Sequence, residues 1–474
     1  MARYQPPASV LAEQNAGQRF GLVALGLLMS WGLADVWRTP ILIADQGGLT
    51  FLVLYAVLVG ILALPVIAAE ISLGRMARQP APQSLALGFT GQARAFYWVG
   101  LLAFVCVVVL AVVYAVVGSR LLQYAWLSTT GQLEATTPHT ALAPLSPEAD
   151  ALWPRMGWLA LVVGPLWLVA SRQRRDVMRV TGLLVPLLLL LALVQLVNVS
   201  QHAGLEGGMA LLLAWESSSV TLPMFKAAGE QALMTLGGGL TVYLVIGVYS
   251  RRRFAVGRSL LLWGAGDLLW LVLAGLLVLS LAFADGLPPE AGGMLVFGQV
   301  PYFLSAWPLA GFYTSAFYTW LVLMVLGTLL ALTEPLVHWV SHAGVSRRVA
   351  ALVVHALLWL LAVVYLKLEA RDPESVAAGL RGVAYLLLPL PMALIAGMTG
   401  YIRNYESFCA GLGWSPESWK ARLMFRTLRY LSFPLIVIIL ALMILSWSES
   451  PCWLEADQAS ACLAEQDSGA TVGE

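Results

Sequence analysis

Gly32-Leu33-Ala34-Asp35 interrupts an apolar run from Phe20 to Ile43, and Gly237-Gly238-Gly239, two residues after Thr235, interrupts another from Met224 to Ser250. A helix that crosses lipid satisfies its own backbone N–H and C=O groups. An unwound segment is tolerated there only where it is covered by protein or lines a cavity. Each break here combines small residues with an oxygen able to bind an ion, so the two together point to a cavity between them. In membrane proteins built of two repeats, breaks at corresponding places in the halves are the best sequence pointer to a solute site.

The rest of the chain agrees with a membrane setting. Of its 474 residues 59% are hydrophobic and 11% charged, and the mean hydropathy is +0.80, which excludes an ordinary soluble domain. Apolar runs of membrane-spanning length lie near 20–43, 49–74, 95–127, 156–171, 181–199, 224–250, 259–285, 309–340, 349–368, 376–402 and 430–447. The sequence therefore predicts an all-α integral membrane protein with eleven transmembrane helices.

Orientation follows from the basic residues. With a cytoplasmic N-terminus, the inner loops collect Arg75, Arg78 and Arg94, then Arg172, Arg174, Arg175 and Arg179, and then Arg251 to Arg253 with Arg258. Arg347 and Arg348, and later Arg403, Lys420, Arg422, Arg426 and Arg429, fall on the same side. The loop from Ser128 to Pro154 has acids but no Lys or Arg, as an outer loop should. The first span is long and carries its own charges, without a small-residue cleavage site, so it reads as a retained helix rather than a removed signal.

An odd number of spans puts the C-terminus outside. The acidic tail 448–474 carries Cys452 and Cys462, whose nine-residue separation can close as a disulfide in an oxidising compartment. The alternative is a pair of idle thiols. Cys106 and Cys409 read as structural. The net charge of +1 gives nothing for nucleic acid to bind, and no phosphate loop, metal-spaced His/Cys cluster or haem motif is present.

The first span carries a resemblance. Arg19-Phe20-Gly21-Leu22 leading to Gly32-Leu33-Ala34-Asp35-Val36-Trp37-Arg38-Thr39-Pro40 resembles the opening motif of the neurotransmitter:sodium symporter family. So do Gly47-Gly48-Leu49-Thr50-Phe51-Leu52 and Glu70-Ile71-Ser72-Leu73-Gly74-Arg75. Further along, Gln231-Ala232-Leu233-Met234-Thr235-Leu236, the stretch from Phe297 to Pro308, and Arg429-Tyr430-Leu431-Ser432-Phe433-Pro434 are similar to the family's sixth span, outer hairpin and eleventh span. The match is specific over the first two spans and looser beyond them.

The resemblance, to the family's bacterial amino-acid transporters, implies a five-plus-five inverted repeat with helices 1 and 6 broken. Its segments are a cytoplasmic stretch 1–17, a first repeat 18–199, a second repeat 200–402, an inner loop with the eleventh helix 403–447, and the external tail 448–474. It implies a multi-pass protein of a bacterial inner membrane that couples uptake of a small solute to sodium. The solute would sit between the broken spans, its carboxylate held by half-helix N–H groups, which carry roughly half a positive charge.

The family's site residues carry over position by position. Gly32 stands where amine carriers place an aspartate and amino-acid carriers a glycine. The resemblance therefore implies a substrate with its own carboxylate, held by Gly32, Leu33, Ala34 and the Tyr114 hydroxyl. A lone Tyr in a membrane helix is otherwise interfacial or core. The side-chain pocket would be lined by Leu110, Met234, Gly237, Leu240, Thr328 and Leu332, which suits a neutral amino acid with an apolar or aromatic side chain.

One family cation site maps onto Ser30, Asp35, Thr235 and Asp267, two of them acids where relatives have asparagine. Carboxylates strengthen a hard-cation site, whereas without a cation one of a buried pair takes a proton. Sodium and proton coupling both stay open. The plain alternative for Asp267 is a residue facing a helix end or water with no ligand role; for Asp35 that alternative is weaker, because acids within membrane spans are functional by default.

The second family site maps onto Leu28, Trp31, Met324, Gly327 and Thr328 and looks dismantled, with Trp31 and Met324 as bulk in its place. Arg38 resembles the outer-gate arginine, with Glu374 beside the register of its usual acid; it could equally snorkel to the interface. Glu70 reads as a cap for the amides freed by the sixth-span break. The inner arginine–tryptophan latch of the family is missing, with Glu13 and Ala16 in its place and His342 where an acid is usual. Arg120 and Arg381 read as snorkelling, and Glu334, His338 and His355 as helix packing.

Two functions compete. One is a secondary active transporter of an amino acid or a similar solute, driven by one sodium ion or a proton. The other is a non-transporting sensor or accessory protein that keeps the fold. An enzyme has least support, because no nucleophile–base set is present. Oligomeric state is not legible.

Overall fold

The computed structural model describes residues 16–88, 93–133, 135–145, 152–215, 220–251, 254–285, 292–383 and 387–445. Among these, eight helices are long and apolar enough to cross a membrane. Five are Arg94–Thr129, Leu152–Ala170, Arg174–His202, Val256–Ala282 and Ala310–His342; the others are Leu49–Ala77, Arg347–Glu369 and Trp419–Leu445.

Three expected spans remain, the first, sixth and tenth, and of these the first and sixth are broken. The first runs as Ala16–Ser30, then Ala34–Trp37 and Thr39–Asp45. The sixth runs as Leu222–Met234 and Val242–Tyr249. In the region of the expected tenth span the described helices are Pro373–Gly382 and Pro389–Ile402. With the eight unbroken helices, these are consistent with the eleven expected spans. Cys452, Cys462 and Glu13 lie outside the described residues, as do the side chains of Glu374 and Arg381.

The packing follows from the breaks. Neither half of a broken span is long enough to bury itself, so each lies against unbroken helices: the inner half of the first on the fifth and eighth, and the inner half of the sixth on the second. The third and eighth spans form the long backing pair behind them. Where the chain turns left-handed in the sixth break, Gly237 (φ 65°) and Gly239 (φ 88°) meet the need at no steric cost, while Thr241 (φ 63°) does so as a strained exception. A Cβ on Gly239 would stand 2.6 Å from the Met392 backbone nitrogen. The break is thus packed closely against the tenth span.

The freed amides of that break are satisfied by one carboxylate. Glu70, fully buried in the second span, accepts from the Gly239 N–H and, at 3.3 Å, from the Leu244 N–H. This is the capping role expected for it. On the face that carries the basic loops, taken as the inner one, Arg75 closes the structure. Its guanidinium donates to the Ser250 hydroxyl (2.8 Å) and to the carbonyls of Leu412, Arg251 and Phe254 (3.0, 2.9 and 2.9 Å).

Candidate solute and cation site

The two breaks lie next to each other. A Cβ on Gly237 would stand 2.6 Å from Met29 Cε, at the end of the inner half of the first span. Gly32 faces the third span, where the Tyr114 hydroxyl lies 2.9 Å from the place a Gly32 Cβ would occupy. The same hydroxyl is within hydrogen-bond reach of the Leu33 backbone. Gly32, Leu33 and Tyr114, linked in the sequence reading only by register, are therefore neighbours.

The acids collect on the other side of the break. Asp35 Oδ2 accepts the Gly32 N–H (3.2 Å), and Asp35 Oδ1 accepts from Gln231 Nε2 (3.3 Å) in the sixth span. Asp267, on the seventh span, accepts the Thr235 hydroxyl on Oδ1 (2.7 Å) and the Tyr55 hydroxyl on Oδ2 (2.5 Å). Both carboxylates are buried, at 3% and 2% exposure, and close enough to interact electrostatically. Each of these donors is a neutral amide or hydroxyl, so these bonds leave the negative charge of the pair without a cation to balance it. Such an arrangement suits a small cation from outside. Asp267 therefore does not face a helix end or open water.

Ser30 joins this cluster through its backbone. Its hydroxyl bonds back to the Leu27 carbonyl (3.0 Å), and its own carbonyl accepts the Gly32 N–H (3.0 Å). The expected lining residues fall at two depths. Leu240 and Leu332 are core-buried, while Leu110 and Met234 are half-buried and packed against that core.

At the second mapped site a hydroxyl stands where the backbone oxygens converge. Thr328 Oγ1 lies 3.0 Å from the Leu28 carbonyl, 3.2 Å from that of Met324 and 3.4 Å from that of Trp31. Leu28 Cδ2 occupies the space beside Gly327, 2.7 Å from where a Cβ would be. The Trp31 ring is elsewhere. It stacks on Trp270 at 4.4 Å and donates to the Gly266 carbonyl (3.1 Å), both on the seventh span. Of the expected bulk, Trp31 and Met324, the Trp31 ring therefore lies outside the site, and Leu28 packs beside Gly327 instead.

Among the described side chains, the expected gate arginine, Arg38, meets an acid of the sixth span. Arg38 NH2 lies 3.4 Å from Glu230 Oε2, on the outer half of the sixth span, and Lys226 is 3.7 Å from the same carboxylate. Arg120 does not simply snorkel: it is paired with Glu369 at 2.6 Å, and Arg155 reaches the same acid at 3.4 Å. Tyr55, Gln231 and Glu230 are site residues the sequence reading did not assign. Gln231 was in view within the family motif. Tyr55 had no cue beyond a hydroxyl in an apolar run, because its partner Asp267 is 212 residues away.

The chain is similar to known proteins in sequence and in fold. The model of the sodium:neurotransmitter symporter family matches residues 15–143. An uncharacterized sodium-dependent transporter, YhdH, of Bacillus subtilis (strain 168) is 23% identical over 353 residues, covering 71% of this chain and 75% of the relative. An uncharacterized sodium-dependent transporter of Haemophilus influenzae is 22% identical over 319 residues, covering 65% and 69%. Among solved structures, MhsT in complex with L-phenylalanine shares the fold with a TM-score of 0.76 at 22% identity, over 89% of this chain and 98% of that one.

Proposed function

We propose that this chain, a relative of the sodium:neurotransmitter symporters, is a secondary active transporter of a small amino acid or a similar solute. The observation that carries the reading is the meeting of the two broken spans. One side of the junction presents Gly32, Leu33 and Tyr114, and the other presents Asp35, Thr235 and Asp267. A zwitterion fits between them, its carboxylate toward the Gly32–Ala34 backbone and the Tyr114 hydroxyl, its apolar side chain toward Leu110, Met234, Gly237, Leu240, Thr328 and Leu332. MhsT was solved with an amino acid bound, which supports the same substrate class here.

One cation accompanies the solute, bound by Asp35, Thr235, Asp267 and the Ser30 carbonyl. The named relatives are sodium-dependent, which supports sodium; two carboxylates with only neutral donors also support a proton. The Leu28 side chain packed beside Gly327 supports the absence of a second ion. The N-terminus is cytoplasmic and the C-terminus external, in a bacterial inner membrane.

Counterflow tests this reading. Proteoliposomes loaded with an unlabelled neutral amino acid should accumulate the labelled one in exchange. Binding without exchange would instead establish a sensor that keeps the fold.

A further inference from the structure

The helix of the eleventh span starts at Trp419, well before its apolar stretch, and runs on to Leu445. Its first part, Trp419–Thr427, and the wider turn Leu428–Ser432 that follows carry Lys420, Arg422, Arg426 and Arg429 and no acid. The chain as a whole has a net charge of only +1, so these four cations are a local excess. They lie on the face that carries the basic loops, away from the junction of the broken spans.

The residues of this stretch divide by side. Ala421, Phe425 and Leu428 are buried against the protein. Trp419, Leu423 and Tyr430 are exposed, at 65%, 56% and 62%, and Arg422 and Arg426 are exposed with them, one helical turn apart. Arg429 is held in place. Its guanidinium lies over the Tyr401 ring at 5.2 Å and over the Tyr430 ring at 5.4 Å, and its carbonyl accepts the Tyr401 hydroxyl at 2.8 Å. Its Nε is buried and has no hydrogen-bond partner among the described residues. Among those residues, none of the four cations has a carboxylate within ion-pair distance.

Keeping a loop on one side of a membrane needs only its positive charges. It does not need them in a row on an ordered helix, where like charges one turn apart repel, nor one of them fixed between two rings. A guanidinium matches a phosphate in shape and charge. Trp and Tyr rings settle at the boundary between lipid headgroups and acyl chains. Cations beside such rings at the entry of a spanning helix therefore fit a ligand with a phosphate at one end and apolar tails at the other.

We propose that Arg422, Arg426 and Arg429 hold the headgroup phosphate of an anionic phospholipid at the entry of the eleventh span, with Trp419, Leu423 and Tyr430 against its acyl chains. The described surroundings offer no carboxylate to an ammonium headgroup, so the row selects phosphatidylglycerol over phosphatidylcholine. The site is independent of the transport reading and stands whether or not a solute is moved.

Native mass spectrometry of the full-length protein in a neutral detergent, titrated with phosphatidylglycerol or with phosphatidylcholine of the same chains, tests the site. Each Lys or Arg close to an anionic lipid contributes roughly five-fold in affinity. The wild type should therefore bind the first phosphatidylglycerol about a hundred-fold more tightly than phosphatidylcholine. Arg422→Gln combined with Arg426→Gln should weaken phosphatidylglycerol about twenty-five-fold and leave phosphatidylcholine unchanged, which also shows that the variant is folded. Arg175→Gln combined with Arg348→Gln removes the same charge from exposed positions elsewhere on the same face and should change neither. Equal affinity for the two lipids in the wild type, or an equal loss in the two double variants, overturns the site. Displacement of phosphatidylglycerol by millimolar inorganic phosphate would show a site for free anions and overturn the lipid assignment.

Discussion

Gly32 offers the sharpest test of the solute site, because two substitutions there separate shape from charge. A Cβ added at Gly32 would lie 2.9 Å from the Tyr114 hydroxyl, inside the 3.4 Å at which ordinary contact begins. Overpacking of this kind costs about 1–3 kcal/mol. At 1.4 kcal/mol per tenfold, Gly32→Ala should weaken binding of a neutral amino acid by roughly ten- to hundred-fold. Gly32→Asp carries the same steric loss and adds a carboxylate facing that of the solute. At a separation of about 5 Å and an effective dielectric near 20, the repulsion is about 3 kcal/mol, a further two orders of magnitude. Asp35 deepens the effect, since its Oδ2 is 3.2 Å from the Gly32 nitrogen.

Calorimetry with L-leucine, L-phenylalanine and phenylethylamine, the last lacking the carboxylate, should show the split. The amino acids should bind the Ala variant weakly and the Asp variant not measurably. The amine should bind the Asp variant no worse than the Ala variant, because its ammonium meets an attractive charge. Equal amino-acid affinity in the two variants would refute the placement of the carboxylate beside Gly32.

Further outcomes follow from the same geometry. Sodium-dependent uptake should be hyperbolic, because apolar Leu28 packs into the second site beside Gly327; a Hill coefficient near two would rule out a single ion. Asp35→Asn should leave a sodium-driven carrier working with weaker sodium affinity and abolish uptake driven by a pH gradient, since an amide still ligates but cannot titrate; proton-driven uptake that survives the change would exclude Asp35 as the carrier of the proton. Glu230→Gln should free Arg38 from its partner on the sixth span and, as a partly buried pair is broken, lower thermal stability by about 1–3 kcal/mol; a melting curve superimposable on wild type would show the pair to be idle. Cys452 and Cys462 should resist alkylation until reduced in exported protein, and quantitative labelling without reductant would reject the bridge.

The membrane class, the spans and both breaks were legible in the sequence because they are local. A stretch of apolar residues with glycines at its middle has few ways to satisfy its backbone in lipid, whatever lies around it. The same holds for Glu70: an acid in a buried span needs donors, and a broken helix supplies them. Asp35 was legible for a similar reason. An ionisable group inside a span must have a partner, even when the chain does not say which.

What tertiary structure alone decided is the identity of those partners. Asp267 is bonded to Tyr55, Arg38 to Glu230, and Glu334 to Tyr249. No periodicity or composition connects residues 85 to 212 positions apart. The Trp31 ring shows the limit most clearly. Its position in the first span pointed toward the eighth, but a flat ring stacks best on another flat ring, and Trp270 on the seventh span was there to receive it. Burial of polar groups obliges them to pair; which pairs form depends on how the helices lie side by side.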